Sequence, residues 1–434
     1  MKKKRLNICL TITALIAAIA VVTVMFSALV KAASIDKVYT ISGTTTNTSG
    51  STNTLRIETR GDSVYVITGN TPNNMSTGTN RRVTQGCSFD NDDSVYEYDP
   101  ACEYDENGTK VQRIIKNVGD FHSISSCRAI KVVYTQGKPG DIKIVGPEKL
   151  VRYLDVSCDN GELELSYQNG KVKNINNSVT VTCSSRGLND LDLSTASKFI
   201  AQTPIKINGT LNIDLSSAAS ASIPAFQGKG LTIDCSSASS LNIPSITANS
   251  LNLDLASAAK FHTSDVNILG DVEIDLSSAS NFNTSSILNC NRFTGSCSGA
   301  AGCNIQQLRA YSADIDCSSA ANFRIPDGLN CNNNKVSVSA SSTATISIGP
   351  VQAGSIILEA TSQSNITLGK TSVNTVRIEA SMSTVTLRGK GNTANIEAWS
   401  MARINAGEFS VGSATVDARN NAKITIKADR LNRQ

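Results

Sequence analysis

One pattern returns about every 20 residues through most of the chain, and this periodicity restricts the fold more than any other feature. In LNIDLSSAA (211–219), LTIDCSSAS (231–239) and LNLDLASAA (251–259), apolar and polar residues alternate and then give way to small turn residues. Alternation with a period of two predicts a strand with one buried face. Twelve copies align at one acidic or serine position: Asp192, Asp214, Asp234, Asp254, Asp275, Ser296, Asp316, Ser339, Glu359, Glu379, Glu397 and Asp417.

Three apolar positions recur in each repeat. One lies inside the alternating segment, one lies seven residues after the acidic position, and a weaker third lies around Ile246, Val266, Ile287, Leu308 and Val351. Three short strands per repeat predict an all-β fold, a right-handed parallel β-helix of about 12 coils with about 20 residues per coil, over residues 114–434. A leucine-rich repeat would need a fixed asparagine and a helical half, and a propeller would need blades of about 40 residues.

The first 32 residues predict export. A basic start (Lys2 to Arg5) precedes an apolar run from Leu6 to Val30, and small residues precede Ala33. This segment, 1–32, is either a signal peptide or an N-terminal membrane anchor, because the run reaches the ~20 residues that span a bilayer. It holds five of the 40 basic residues and none of the 36 acidic ones, so the remaining chain is nearly neutral. Charge therefore gives no case for a nucleic-acid partner.

Residues 33–113 form a predicted N-terminal β-rich extension with linkers. Leu55 to Ile67 predicts a hairpin that turns at Gly61-Asp62. Residues 87–108 hold eight acidic residues and no basic one, which fits either a calcium-binding loop or a solvated acidic loop. Cys87 and Cys102 bracket a short loop in this segment and are the candidate disulfide of an exported chain.

The acidic positions of the repeat form the candidate ligand face. Alternation places them on the outside of the predicted solenoid, where like charges about 5 Å apart repel one another. Serine hydroxyls and amides of the adjacent turns are the nearest predicted partners, and a bound cation or a basic or sugar ligand is the alternative. The candidate residues are Asp192, Asp214, Asp234, Asp254, Asp275 and Asp316.

Cysteines and histidines give little sign of chemistry. Cys235, Cys297 and Cys317 follow the acidic position, where other repeats have leucine or alanine, and so predict small buried residues. A bridge between Cys297 and Cys317 in adjacent coils is the alternative. His122 and His262 lie in no acid–nucleophile pattern, and no motif predicts a cofactor beyond the calcium loop. We therefore expect a protein that is not an enzyme.

Residues 118–323 resemble the head GIN domain family, which is described as autotransporter adhesins. The family's opening strands resemble VVYTQGKPGDIKIVGPEKLVRYLDVSCDNGELELSY (132–167), and its repeated SGAS phrase resembles the SSAS, SSAA and SGAA copies here. Serine mostly replaces the family's glycine, which only Ser298-Gly299-Ala300 retains. The resemblance implies an adhesin-like β-helix.

These features together predict an exported protein of the cell surface, periplasm or extracellular space. The leading hypothesis is adhesin-like binding of a glycan or matrix polymer. A structural envelope component that self-associates into homo-oligomers is the second hypothesis. A polysaccharide lyase or hydrolase is the third, because the acidic column supplies many carboxylates.

Overall fold

The computed structural model describes residues 38–41, 52–60, 63–71, 110–116, 118–168, 170–172, 175 and 179–433. The chain divides into two compact units, Met1–Lys116 and Asn117–Gln434. The predicted signal or anchor segment and the Cys87–Cys102 loop lie outside the described residues. No helix in the described part of the chain is long and apolar enough to cross a membrane.

The described part of the first unit is a small antiparallel arrangement. Its strands are β1 (Val38–Ile41), β2 (Thr52–Arg60), β3 (Ser63–Thr71) and β4 (Lys110–Ile115). β2 pairs with β1 and with β3, and β3 pairs with β4. Arg60 is the register partner of Ser63, so the predicted hairpin pairing of these two strands is confirmed.

The second unit begins with two short strands, each of which pairs in parallel with two later strands and so starts the stack of coils. β5 (Ser123–Ser126) pairs in parallel with both β9 (Glu162–Tyr167) and β11 (Asp190–Leu193). β6 (Lys131–Gln136) pairs in parallel with both β10 (Thr180–Ser185) and β12 (Lys198–Ala201). The helix buries Leu150 and Val151. The elements are β5 (Ser123–Ser126), β6 (Lys131–Gln136), β7 (Ile142–Pro147), α1 (Glu148–Arg152), β8 (Leu154–Asp159), β9 (Glu162–Tyr167), β10 (Thr180–Ser185), β11 (Asp190–Leu193) and β12 (Lys198–Ala201).

The remaining strands continue the stack as successive coils. They are β13 (Ile205–Lys206), β14 (Thr210–Leu215), β15 (Ser220–Ser222), β16 (Phe226–Gln227), β17 (Gly230–Cys235), β18 (Ser240–Ala248), β19 (Ser250–Leu255), β20 (Lys260–Ile268), β21 (Asp271–Leu276), β22 (Asn281–Cys297), β23 (Gly302–Cys317), β24 (Asn322–Ile325), β25 (Leu329–Asn330), β26 (Lys335–Ala340), β27 (Thr345–Ile348), β28 (Val351–Gln352), β29 (Ser355–Thr361), β30 (Asn365–Ser381), β31 (Thr384–Trp399), β32 (Arg403–Ala418) and β33 (Lys423–Arg433).

Strand register confirms the predicted parallel β-solenoid of about twelve coils. Each acidic or serine position of the repeat is the register partner of the same position in the next coil, from Asp192 with Asp214 to Glu397 with Asp417. The apolar positions on either side of it are buried, so the alternation of the sequence becomes an inside and an outside face.

The inward side chains form continuous columns along the solenoid. Phe261 stacks on Phe282 with 5.4 Å between ring centroids, at the second predicted apolar position. The third position is partly corrected: Leu288, and not Ile287, pairs with Val266 and is buried. A register shift between Thr263 and Val266 moves the pairing by one residue, and a shift of one residue exchanges the inside and outside faces.

A glycine in one coil makes room for large side chains. Gly295 replaces the aliphatic residue that other coils have between Ile274 and Ile315. A Cβ there would lie 2.8 Å from the Phe293 ring and 3.1 Å from the Phe323 ring. These two rings pack edge to face with centroids 6.1 Å apart. The core of this coil is therefore filled by aromatic rings in place of an aliphatic side chain.

The turn after the acidic position uses a backbone conformation that favours glycine. Ser237 and Ala238 have φ values of 52° and 63°, and the Ser239 amide closes the turn by donating to the Ser236 carbonyl (3.1 Å). Gly299 has a φ of 66° at the corresponding position. Serine therefore occupies the left-handed site that glycine has in the family's SGAS phrase. This costs L-residues roughly 1–2 kcal/mol per residue.

Replacing Ser237 with glycine is expected to stabilise the protein by about 0.5 kcal/mol. The relief of left-handed strain exceeds the roughly 0.5–1 kcal/mol of extra chain entropy that glycine loses on folding. The matched control is Ser236→Gly, at the neighbouring turn residue that lacks a positive φ, which should destabilise the protein. Thermal unfolding of the full-length variants measures both. Equal destabilisation by the two substitutions would contradict the role assigned to the turn.

Candidate functional site

The predicted acidic column exists on the outside of the solenoid. The side chains of Asp192, Asp214, Asp234, Asp254, Asp275 and Asp316 are exposed, and Ser296 interrupts the column between the last two. Neighbouring parallel strands lie ~4.8 Å apart, so the column from Asp192 to Asp316 extends about 29 Å along the solenoid axis. We call these six residues and Ser296 the acidic column.

Partial burial, together with electrostatic repulsion within the column, raises the pKa of two of its members. The pKa of Asp214 is raised by partial burial and by the charges of Asp192 and Asp234. The pKa of Asp254 is raised by partial burial and by the charges of Asp234 and Asp275. Each of these carboxylates has an acidic neighbour in both adjacent coils, so the column carries closely spaced negative charge.

The predicted serine partners of the acidic column are wrong. Within the described residues, no side chain donates a hydrogen bond or forms an ion pair to the six carboxylates. Two of the turn serines bond to main-chain carbonyls instead: Ser197 Oγ donates to Ser194 O (2.7 Å), and Ser364 Oγ donates to Ala340 O (2.9 Å). These serines point into the solenoid and are buried. The acceptor capacity of the acidic column therefore stays available on the surface.

The later coils differ because arginines neutralise two of their acidic positions, Glu379 and Asp417. Arg377 Nε donates to Glu379 Oε1 (2.7 Å), and Arg419 Nε donates to Asp417 Oδ1 (3.0 Å). Asp417 is 8 % exposed, so its charge is largely removed from solvent and needs this partner. Between positions 190 and 334 there are twelve acidic and seven basic residues, whereas between 335 and 433 there are six acidic and eleven basic residues. The two halves of the solenoid thus carry opposite net charge.

A surface depression of about 360 Å³ lies where Ser296 interrupts the acidic column. The short serine side chain leaves space between the carboxylates of Asp275 and Asp316. Hydroxyl groups and carboxylates line the depression, with Cys297 also part of its wall. The lining residues are Asp254, Asp275, Leu276, Ser277, Ser296, Cys297, Ser298, Asp316 and Ser318. We call this the column depression. Its oxygen atoms can accept hydrogen bonds from hydroxyl or ammonium groups.

A second depression, of about 710 Å³, lies near the start of the second unit. It is lined by Asp120, His122, Arg186 and Lys206, among other residues, and Arg186 forms an ion pair with Asp120 (3.3 Å). Gln136, from the TQG phrase of the family resemblance, holds this region together. Its side chain donates to the carbonyls of Arg186 (2.8 Å) and Lys206 (2.6 Å) and accepts from the Lys206 amide (2.7 Å).

Sequence reasoning did not identify this second depression. Arg186 follows β10 and Lys206 ends the two-residue strand β13, and both lie outside the aligned repeat, so no periodicity marked them. The TQG phrase was the available signal, but its meaning depends on contacts between residues 50 and 70 positions apart. The other histidine, His262, shares a hydrogen bond with Asn283 Nδ2 (3.1 Å) and lies on the exposed face of β20. The structure therefore does not bring the two histidines into one site.

The described cysteines are free thiols. They are Cys127, Cys158, Cys183, Cys235, Cys290, Cys297, Cys303, Cys317 and Cys331. The alternative bridge between Cys297 and Cys317 is thus not formed, and both residues are buried as predicted for small core residues. The candidate Cys87–Cys102 disulfide and the acidic 87–108 loop lie outside the described residues. Among the described side chains, no group of three or more ligands is arranged to hold a metal ion.

Comparison with known families identifies the same region as the sequence phrases did. A family model described as "Putative auto-transporter adhesin, head GIN domain" matches residues 120–287, so the predicted resemblance is confirmed. The matched residues include the second depression and most of the acidic column. Comparison of the sequence with curated proteins gives no match.

The solved structures that match this chain are distant from it in sequence. A protein called a putative adhesin from Bacteroides fragilis is 17 % identical over 58 % of this chain and 96 % of its own, with a TM-score of 0.32. One called a putative adhesin from Parabacteroides merdae is 15 % identical over 76 % and 97 %, with a TM-score of 0.32. One called a putative lipid binding protein from Parabacteroides distasonis is 13 % identical over 64 % and 96 %, with a TM-score of 0.39.

Asp254→Asn is expected to stabilise the protein at neutral pH by about 0.5 kcal/mol, as expected for removal of a cross-strand like-charge contact. The pKa of Asp254 is higher in the folded state than the ordinary value of 3.8. The free energy of unfolding therefore falls as pH rises from 3.8 through the folded pKa. The gain should therefore vanish below pH 3.8 and shrink in high salt. Chemical denaturation of the full-length chain measures it.

The matched control is Glu379→Gln in a later coil. Arg377 already neutralises Glu379, so removal of this charge should bring no gain in stability. A similar gain from both variants would show that repulsion within the acidic column is not the cause.

Proposed function

We propose that this chain is an exported, adhesin-like protein that binds a glycan or another surface polymer along the acidic column. The matching family model, described as an adhesin domain, supports binding as the general function. The main support for this ligand face is the exposed row of carboxylates from Asp192 to Asp316, which have no side-chain partners among the described residues. This row runs along the solenoid, as a polymer-binding surface would.

The chemistry of the column favours a neutral polyhydroxyl polymer or one that carries amino groups. Carboxylates accept hydrogen bonds from sugar hydroxyls and form charge-assisted bonds with ammonium groups. An acidic polymer would be repelled by the same charges. The column depression supplies serine hydroxyls beside the carboxylates, so one sugar ring could contact both kinds of group there. Ligand binding would also relieve the repulsion that Asp254 experiences from Asp234 and Asp275.

A glycan-array screen of the purified full-length chain, with and without calcium, tests this function. We expect hits among neutral or amino-sugar glycans and few among sulfated or uronic-acid glycans. Asp254→Asn and Asp275→Asn should each weaken the hits about tenfold, since a hydrogen bond to a charged group contributes ~1.5–3 kcal/mol. Glu379→Gln should bind as the wild type does, because its carboxylate is already paired with Arg377.

Three outcomes would count against the proposed ligand face. Equal loss in Asp254→Asn and Glu379→Gln would indicate a general effect on the fold. A blank array from folded protein would favour a structural role. Release of new reducing ends from a bound polysaccharide would favour the lyase or hydrolase hypothesis.

Self-association is a second candidate function, favoured by the opposite net charge of the two halves of the solenoid. Two copies arranged antiparallel would place the acidic half of each against the basic half of the other. Such an interface would give an envelope component that assembles from identical chains.

Sedimentation velocity at low and high salt tests this second candidate. Oligomers should form at low salt and dissociate in about 1 M salt, where the Debye length falls to ~3 Å. Lys390→Gln should weaken them by removing a basic charge from the later half. A monomer at every salt concentration would exclude this assembly.

A further inference from the structure

Positively charged side chains line the second depression, which has a volume of about 710 Å³ and lies near the start of the second unit. Arg186, Lys206 and His122 all contribute to its wall, and all three residues are exposed. Asp120 is the one acidic residue among the described residues of the wall. The second depression therefore has an excess of positive charge, whereas the column depression is lined by three carboxylates.

One side chain fixes the positions of Arg186 and Lys206. Gln136 Nε2 donates to the carbonyl of Arg186 (2.8 Å) and to the carbonyl of Lys206 (2.6 Å), and Gln136 Oε1 accepts from the Lys206 amide (2.7 Å). Two residues from different segments of the chain are thus held by a single amide group. All three hydrogen bonds use the main chain of Arg186 and Lys206, so neither cationic head group is consumed by them.

The main chain of His122 is held from two sides. Its amide donates to the Gly161 carbonyl (2.8 Å), and its carbonyl accepts from the Asn189 amide (2.7 Å). A Cβ at Gly161 would lie 2.5 Å from His122 Nε2, so the glycine leaves room for the imidazole ring. His122 adds a further positive charge to the depression when its imidazole is protonated.

Asp120 reduces the positive charge without cancelling it. Asp120 forms an ion pair with Arg186 (3.3 Å) and also accepts from the Arg186 amide (3.1 Å). Within the described structure the guanidinium contacts this carboxylate through Nη1, and the Arg186 side chain is 77 % exposed, so its other N–H groups stay available. Arg186 and Lys206 against one carboxylate leave one net positive charge, and protonation of His122 makes it two.

The solenoid does not require a cation at the position of Lys206. The register partner of Lys206 in the next coil is Gln227, and Thr247 and Asn267 follow in the two coils after that. These coils pair in the same way without a lysine or arginine at this outward position. Stacking of the coils therefore gives no reason for the charge of Lys206.

We propose that the second depression binds a phosphomonoester through Arg186, Lys206 and His122. Such a group carries a charge of about −1.5 to −2 at pH 7 and offers three acceptor oxygens, which suits several converging cations. The planar N–H groups of arginine bind phosphate in pairs, and lysine adds a compact charge. The depression is as large as the ~300–1,000 Å³ of typical ligand pockets, so it also has room for part of the molecule that bears the phosphate.

Glucose 6-phosphate and glucose 6-sulfate are matched probes of this site. The phosphate is close to dianionic at pH 7, whereas the sulfate ester carries a single charge. Isothermal titration calorimetry of the purified full-length chain measures both affinities. We expect glucose 6-phosphate to bind about tenfold more tightly, because its second charge interacts with the cations of the depression. Equal affinities, or no binding of glucose 6-phosphate to the folded protein, would overturn the proposal.

Three substitutions should change this affinity in different ways. Lys206→Gln should weaken glucose 6-phosphate binding about tenfold, while the contacts with Gln136 persist because they use the main chain. Asp120→Asn should strengthen binding about threefold, because it removes repulsion and its amide oxygen still accepts from the Arg186 amide. Lys260→Gln is the matched control, at an exposed lysine of β20 outside the depression, and should bind as the wild type does.

Two results with these variants would overturn the proposal. Weaker binding by Asp120→Asn would show that the carboxylate contributes to the ligand site and does not oppose the ligand. Equal losses in Lys206→Gln and Lys260→Gln would show that the probe responds only to the overall charge of the protein.

Vesicles distinguish a lipid headgroup from a soluble phosphate as the source of the phosphomonoester. Phosphatidylcholine vesicles with added phosphatidate present a phosphomonoester, and those with added phosphatidylglycerol present a phosphodiester. Pure phosphatidylcholine vesicles measure binding through any other part of the chain. Flotation with phosphatidate vesicles that exceeds both controls and is lost in Lys206→Gln would assign the site to a lipid headgroup. Binding of glucose 6-phosphate without such flotation would assign it to a soluble phosphate.

Discussion

In-register hydrogen bonding between parallel strands of successive coils determines almost every other feature of this molecule. Each coil is too thin to enclose a core alone and buries its inward side chains only against the coils above and below. One register therefore places Asp on Asp outside and Phe261 on Phe282 inside. The same pairing that stabilises the core compels the carboxylates to repel one another, so the acidic column is a direct consequence of the fold.

Much of this arrangement could be predicted from the sequence, because the repeat specifies both the period and the face of each residue. The acidic column was predicted position by position on this basis. Predictions failed where one coil departs from the average. The register shift near Val266 places Leu288 inside instead of Ile287. At Ser296 the sequence shows only a missing charge, whereas the structure has a surface depression there. The second depression depends on Gln136 and its contacts with distant turns, which periodicity cannot reveal.

The turns and the acidic column both contain locally unfavourable arrangements, one of the backbone and one of charged side chains. Ser237 and Ala238 adopt left-handed backbone conformations, and Asp254 lies between two other carboxylates. In the later coils Arg377 and Arg419 neutralise two of the acidic positions, Glu379 and Asp417. The left-handed turns occur in both halves of the solenoid, whereas the run of unpaired aspartates occurs in the earlier half. Uncompensated charge in one half of a regular scaffold is the kind of local conflict expected at a functional surface.

The direction of the inter-coil hydrogen bonds has a mechanical consequence. Strands run across the solenoid, so the bonds that join successive coils point along its axis. A load applied across the axis must shear many of these bonds at once, whereas a load along the axis can peel one coil at a time from its neighbour. A protein attached at one end and bound along its side would therefore resist drag best through its flank, the face on which the acidic column lies.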